Sequence, residues 1–152
     1  EGRILLDGRE ITADNIDTYR QNFSAVFADF HLFEQVLDAD GGTLDARVQH
    51  YLEVLGMAYK VRVVDGRYTT LNLSTGQRKR LALVSAYLED RPIYLFDEWA
   101  ADQDPVFKRV FYTELLPELK SRGKAVIVIT HDDAYFSCAD RILKLEDGHP
   151  AG

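Results

Sequence analysis

One hundred and fifty-two residues, 46% of them hydrophobic and 28% charged, make one domain's worth of chain with enough apolar content for a core. A net charge of −7 weighs against nucleic acid as the main partner, because a phosphate-binding face is basic. A single cysteine, Cys138, excludes an internal disulfide framework and fits a reducing compartment, and no apolar run approaches the roughly 18 residues of a membrane span.

The chain opens Glu1-Gly2-Arg3 without a methionine, as an excised piece of a longer protein would, and shows no signal-peptide pattern. Residues 3–6 read as a short strand ending in the turn Asp7-Gly8. A short helix is expected from Thr12 to about Tyr19, capped by Thr12 or Asp14, and Phe23 to Phe27 reads as a strand leading into an aromatic-rich stretch to Phe33. Leu44, Val48, Leu52 and Leu55 recur at helical spacing, so 43–57 is an amphipathic helix stopped at Gly56. Val61 and Val63 alternate before a turn at Asp65-Gly66.

Ser74 then opens a long helix to about Glu89. Pro92 starts the strand 93–97, and Asp104-Pro105 begins a helix running to Leu116, with Pro117 expected to kink or restart it. Gly123 closes that segment; strand 125–129, a short helix near 133–138 and a last strand 141–145 ending at Asp147-Gly148 complete the chain. Strands alternating with helices, two of them apolar throughout, predict an α/β fold with a parallel sheet buried on both faces. Cys138 is expected as a small, semi-buried thiol, and His31, His50 and His149 as surface residues.

Three places carry chemistry. Ser74-Thr75-Gly76-Gln77 has the form of a capping box, and the same helix start presents free N–H groups and a positive dipole end to a phosphate, with Gly76 allowing close approach. Asp97-Glu98 puts two acids at the carboxyl end of an apolar strand, where ligands bind in open α/β sheets. His131 follows the second apolar strand at the equivalent edge. Arg78, Lys79 and Arg80 read as a solvated helix start.

The string Leu73-Ser74-Thr75-Gly76-Gln77-Arg78-Lys79-Arg80, the acids of Pro92–Glu98 and His131 together resemble the nucleotide-binding domain of ABC ATPases. The resemblance implies a P-loop NTPase-like parallel sheet flanked by helices. Residues 1–39 and 91–148 would be core portions, and a helical signature subdomain would be inserted over about 40–90. It implies ATP and Mg2+ as ligands, with Asp97 holding Mg2+ through water and Glu98 orienting or deprotonating the attacking water. His131 would contact the γ-phosphate. Ser74, Thr75, Gly76 and Gln77 would close on an ATP held by a second ABC ATPase domain, with Asp104, in Asp102-Gln103-Asp104-Pro105, crossing the dimer interface. The glutamine that the family carries after the Phe23–Phe27 strand is replaced by Ala28 and Asp29, of which Asp29 could substitute as a metal contact.

The run Phe96-Asp97-Glu98-Trp99-Ala100-Ala101-Asp102-Gln103-Asp104-Pro105 is similar to exporters of cyclic peptides and siderophores, in which a transmembrane domain shares the polypeptide. That implies a place at the cytoplasmic face of the bacterial inner membrane. No G-x-x-x-x-G-K-S/T occurs in the sequence, so the phosphate-gripping loop would lie upstream, and this chain alone is expected to bind ATP weakly if at all. Two other classes stand beside the exporter: a soluble ABC-type ATPase acting on DNA or ribosomes, and a degenerate module that only binds a partner. The acidic balance disfavours the first, and retention of Glu98 and His131 the second.

Overall fold

The computed structural model describes residues 2–27, 29, 32 and 44–151. Ala28, His31 and Thr43, on which expectations above fall, lie outside the described residues. Strands β1 (Leu5–Leu6) and β2 (Arg9–Glu10) form a hairpin about Asp7-Gly8, both at positive φ. Helix α1 covers only Ile16–Arg20. It starts later than the sequence suggests because Asn15 spends its side chain backwards, accepting from the Thr12 amide (2.9 Å) and donating to the Glu10 carbonyl (3.0 Å).

Strand β3 (Phe23–Val26) is followed by α2 (Leu44–Val54), whose buried stripe is Leu44, Val48 and Leu52. The chain leaves α2 through Gly56 at φ +63°, a left-handed position suited to glycine. A second hairpin joins β4 (Val63–Val64) to β5 (Arg67–Tyr68). Helix α3 (Thr75–Glu89) carries the capping box, with Gln77 N–H donating to Ser74 Oγ and Ser74 N–H donating to Gln77 Oε1.

Strand β6 (Ile93–Asp97) lies at the centre of a three-stranded parallel sheet, between β3 and β7 (Ala125–Ile129). Between them run the 3₁₀ turn Trp99–Asp102, α4 (Pro105–Val110), a π-helical turn Phe111–Leu115 and α5 (Leu116–Ser121). The helix therefore continues past Leu116, and the π turn is the form that the expected kink takes. Pro117 has no N–H for the Thr113 carbonyl, so widening the turn loses nothing at that point. A 3₁₀ segment, Asp133–Cys138, and a hairpin of β8 (Leu145–Glu146) with β9 (His149–Pro150) follow.

The core is built on aromatic contacts that run from α2 to α4. Tyr51 stacks on Tyr87 (5.0 Å), Tyr87 meets Tyr94, Tyr94 meets Phe96, Phe96 meets Phe111 edge-on (5.3 Å), and Phe111 stacks on Trp99 (4.4 Å). Around them Leu52, Leu55, Met57, Val61, Leu81, Leu83, Val84 and Leu119 are fully buried.

Three expectations are corrected. The parallel sheet is covered on one face only among the described residues: Val126 and Val128 pack on the core, while Ile127 and Ile129 are about half exposed (48% and 50%). A wholly apolar strand thus has one buried row and one open row. The predicted strand 141–145 shrinks to Leu145–Glu146, which pairs with His149–Pro150 and leaves Ile142 and Leu143 exposed. Cys138 is exposed, since the turn that carries it buries no residue. No helix among the described residues is long and apolar enough to cross a membrane.

Candidate functional site

Because β3, β6 and β7 are parallel, their carboxyl ends share one edge of the sheet. Asp97 ends β6 in register with Ile129, and Glu98 and His131 follow on the two adjacent strands. Asp29 lies in an exposed turn beyond the end of β3 on that same edge.

Glu98 and His131 are brought together: Nδ1 of His131 is 3.0 Å from Glu98 Oε1. The histidine side chain is 81% exposed and the carboxylate 31%, so the pair opens to solvent on the imidazole side. Glu98 itself adopts a left-handed conformation (φ 49°, ψ 30°), a cost of order 1 kcal/mol or more for a residue with a Cβ. Both of its peptide groups are held. Its N–H donates to the Ile129 carbonyl at 3.0 Å, and its carbonyl accepts from Lys79 Nζ at 3.0 Å.

The loop after β7 is fixed from the helical side. Tyr112, in the π turn, donates to Thr130 Oγ1 (3.0 Å), stacks on Tyr135 (4.3 Å) and lies 3.4 Å from Asp132 Oδ2, while Lys108 Nζ pairs with Asp132 Oδ1 (2.9 Å). Burial pushes the Tyr112 hydroxyl up to about 12, so it stays a proton donor.

The first turns of α3 reach the same region. Ser74 and Thr75 are exposed, and Gln77 is tied down by Lys60 Nζ (3.0 Å) and the Tyr59 hydroxyl (3.1 Å) as well as by the cap. Gly76 is buried, and its α-carbon faces the protein: an added Cβ would stand 2.5 Å from the Asp102 carbonyl oxygen, and its own carbonyl accepts from Gln103 Nε2 (3.1 Å). Asp104 caps α4, accepting from the Phe107 amide (3.0 Å), and pairs with Arg80 (2.6 Å). The Phe107 amide and the Arg80 guanidinium hold its carboxyl below the ordinary carboxylate range.

Lys79 and Arg80 correct a further expectation, because neither is a solvated helix start. Lys79 is 2% exposed and bridges the Glu98 carbonyl to Asp102 Oδ2 (2.8 Å), while the Trp99 indole N–H donates to the carbonyl of Lys79 (3.0 Å). Arg80 lies 3.6 Å over the Phe107 ring and also donates to Gln103 Oε1 (2.9 Å). A signal for Lys79 was available: it falls on the same helical stripe as Gly76, Leu83 and Ala86, all buried.

The donor set at the sheet edge is carboxylate oxygen, which suits a hard divalent cation. Among the described residues no group of three or more His, Cys, Asp or Glu side chains is gathered as a metal cage.

A protein-family model described as ABC transporter matches residues 1–101. The chain is 59% identical over 151 residues to the ATP-binding protein SyrD of Pseudomonas syringae pv. syringae, covering 97% of this chain and 27% of that protein. It is 32% identical over 160 residues to the ATP-dependent lipid A-core flippase of Dechloromonas aromatica (strain RCB), again over 97% of this chain and 27% of the relative. The chain therefore spans about a quarter of the length of these relatives. A bacterial Atm1-family ABC exporter solved with ATP bound superposes with a TM-score of 0.78 at 24% identity, over 100% of this chain and 28% of that one, a likeness of fold.

Proposed function

This chain belongs to the ABC transporter family, and on that footing we propose that it is the signature-bearing and hydrolytic portion of the ATPase domain of an exporter. In this reading Glu98 orients and deprotonates the water that attacks the γ-phosphate, and His131 contacts that phosphate. Asp97 would hold Mg2+ through water, and the ion would supply neutralisation of negative charge on the phosphates. The observation that carries the reading is the 3.0 Å contact between Glu98 and His131, made by residues 33 positions apart on neighbouring strands. It gives one carboxylate oxygen a partner that can hold or pass a proton, and the other has no hydrogen-bond partner among the described residues.

Ser74, Thr75, Gly76 and Gln77 would close on an ATP bound by a second such domain, with Asp104 near the interface between the two. The exposure of Ser74 and Thr75 at an otherwise packed helix start supports that division of labour. The helical signature portion over about 40–90, set between core portions 1–39 and 91–148, belongs to the same proposal. A transmembrane domain on the same polypeptide, at the cytoplasmic face of the bacterial inner membrane, would be the element driven. The cargo would be a cyclic peptide, a siderophore or a related peptide. That last step rests on the run Phe96–Pro105.

Glu98→Gln in the full-length protein that contains this segment tests the central role. Turnover of ATP should fall by 100-fold or more, on the scale of losing a general base, while ATP binding persists. Hydrolysis at the parent rate in the glutamine variant would refute the assignment.

A further inference from the structure

We propose that Lys79 is a positioning residue for the Glu98 carboxylate, acting through the Glu98 backbone rather than through any contact with substrate. The inference rests on the reading of Glu98 given above. A strand that ends in Asp97 would ordinarily carry its next residue onward in extended form. Instead Glu98 turns into the left-handed region, and from there its side chain reaches His131 across the edge of the sheet. Such a conformation persists when its surroundings over-determine it.

The N–H side is held by Ile129, a backbone bond that any residue at 98 would make. The carbonyl side accepts from the Ala101 amide at 3.3 Å and, more closely, from a side chain, the buried Lys79 ammonium at 3.0 Å. A lysine that is 2% exposed is costly unless every face of its charge is met. Here the charge is met by the Asp102 carboxylate at 2.8 Å and by the Glu98 carbonyl at 3.0 Å. Trp99 closes the arrangement by covering the segment and donating to the carbonyl of Lys79 itself. Helix α3 thus fixes the residues on both sides of the turn that aims the carboxylate. The same helix is capped by Ser74, so one element carries both the signature segment and the contact to Glu98.

The test uses the full-length protein. Lys79→Met keeps the length of the side chain and leaves no buried orphan charge, because Asp102 is about half exposed and can be hydrated (47%). It should lower kcat for ATP by roughly 10- to 100-fold, the range seen when a supporting group behind an active residue is removed, with KM changed by no more than about twofold. Lys79→Gln restores a donor to the Glu98 carbonyl without the charge and should recover part of the loss. If packing alone mattered, methionine would do as well as glutamine or better, and that order overturns the proposal.

A second arm separates this idea from the one beneath it. In a Glu98→Gln background, Lys79→Met should remove little further activity, because its route runs through the carboxylate already lost. A full multiplicative loss there would overturn the positioning role. If Glu98→Gln itself leaves turnover unchanged, the reading of Glu98 has failed. If Glu98→Gln abolishes turnover while Lys79→Met does not alter it, only the Lys79 proposal has failed.

Discussion

Gly76→Ala sets two physical effects against each other. Alanine is the better helix former by roughly 1 kcal/mol in a helix interior, and less in the first turn where residue 76 lies. Against that, its methyl carbon would stand 2.5 Å from the Asp102 carbonyl oxygen, where a comfortable C···O contact is about 3.3 Å. The first turn of α3 and the turn Trp99–Asp102 must then separate by several tenths of an ångström, an overpacking cost of about 1–3 kcal/mol. The same movement stretches the Gln103 bond to the Gly76 carbonyl, already 3.1 Å long, with a loss of about 1 kcal/mol if it breaks. The balance is a net loss of about 1–3 kcal/mol. For a chain of this length that corresponds to a Tm lower by roughly 2–10 °C. Urea unfolding of the parent and variant chains measures it directly, as a lower midpoint at unchanged slope. A variant as stable as the parent would refute the close approach of α3 to Asp102 and restore helix propensity as the governing effect.

Tyr94 carries a buried hydroxyl with no hydrogen-bond partner among the described residues, so Tyr94→Phe should leave stability unchanged or raise it by about 1 kcal/mol; a loss beyond about 1 kcal/mol in the same urea assay would show that the hydroxyl is satisfied after all. Alkaline pH should also unfold the chain through its buried tyrosines. Burial pushes Tyr94 and Tyr112 up to about 12 from an ordinary 10.0, and Tyr87 is raised in the same sense. A raised value means that the folded state keeps its proton longer. The contribution is therefore complete below pH 10 and lost as the pH climbs from there towards 12. Tyrosinate absorbance for these three residues should rise together with loss of circular dichroism; their ionisation near pH 10 in a still-folded chain would contradict the burial.

Much of the sheet was legible because its signals are local. Strands 93–97 and 125–129 are apolar runs, the first ending in Asp97, preceded by Pro92 and by Gly123-Lys124, and their limits coincide with the structure. Ser74 and Gln77 announce the cap of α3 in the same way. Other features depend on neighbours distant in sequence. An apolar run says that a strand is greasy, but whether Ile127 and Ile129 are covered depends on what packs above them. Residues 141–144 have strand-like composition yet find no ladder partner among the described residues, because pairing is a property of two segments.

The candidate site divides along the same line. Glu98 and His131 could be picked out as the residues beyond two apolar strands. Lys79 was harder to see, because a lysine at a helix start is by default on the surface: its place on the stripe of Gly76, Leu83 and Ala86 hints at burial, while its partners, Asp102 and the Glu98 carbonyl, come from another segment. The misplacement of the α1 start has a similar origin. Asn15 looks like one more polar residue until its side chain is seen bonding back to residues 10 and 12.

The register of the parallel sheet also bears on the order in which the chain can assemble. Phe23 pairs with Ile93, seventy positions away, whereas Ile93 pairs with Ala125, only thirty-two away. Closing the longer loop costs about 0.7 kcal/mol more in chain entropy than closing the shorter one. The shorter loop alone contains the Trp99–Phe111 stack, and beyond it lie the few residues that carry His131 to Glu98. The two ends of the site therefore belong to the segment whose closure is entropically cheaper, and β3 joins a sheet edge on which they can already meet.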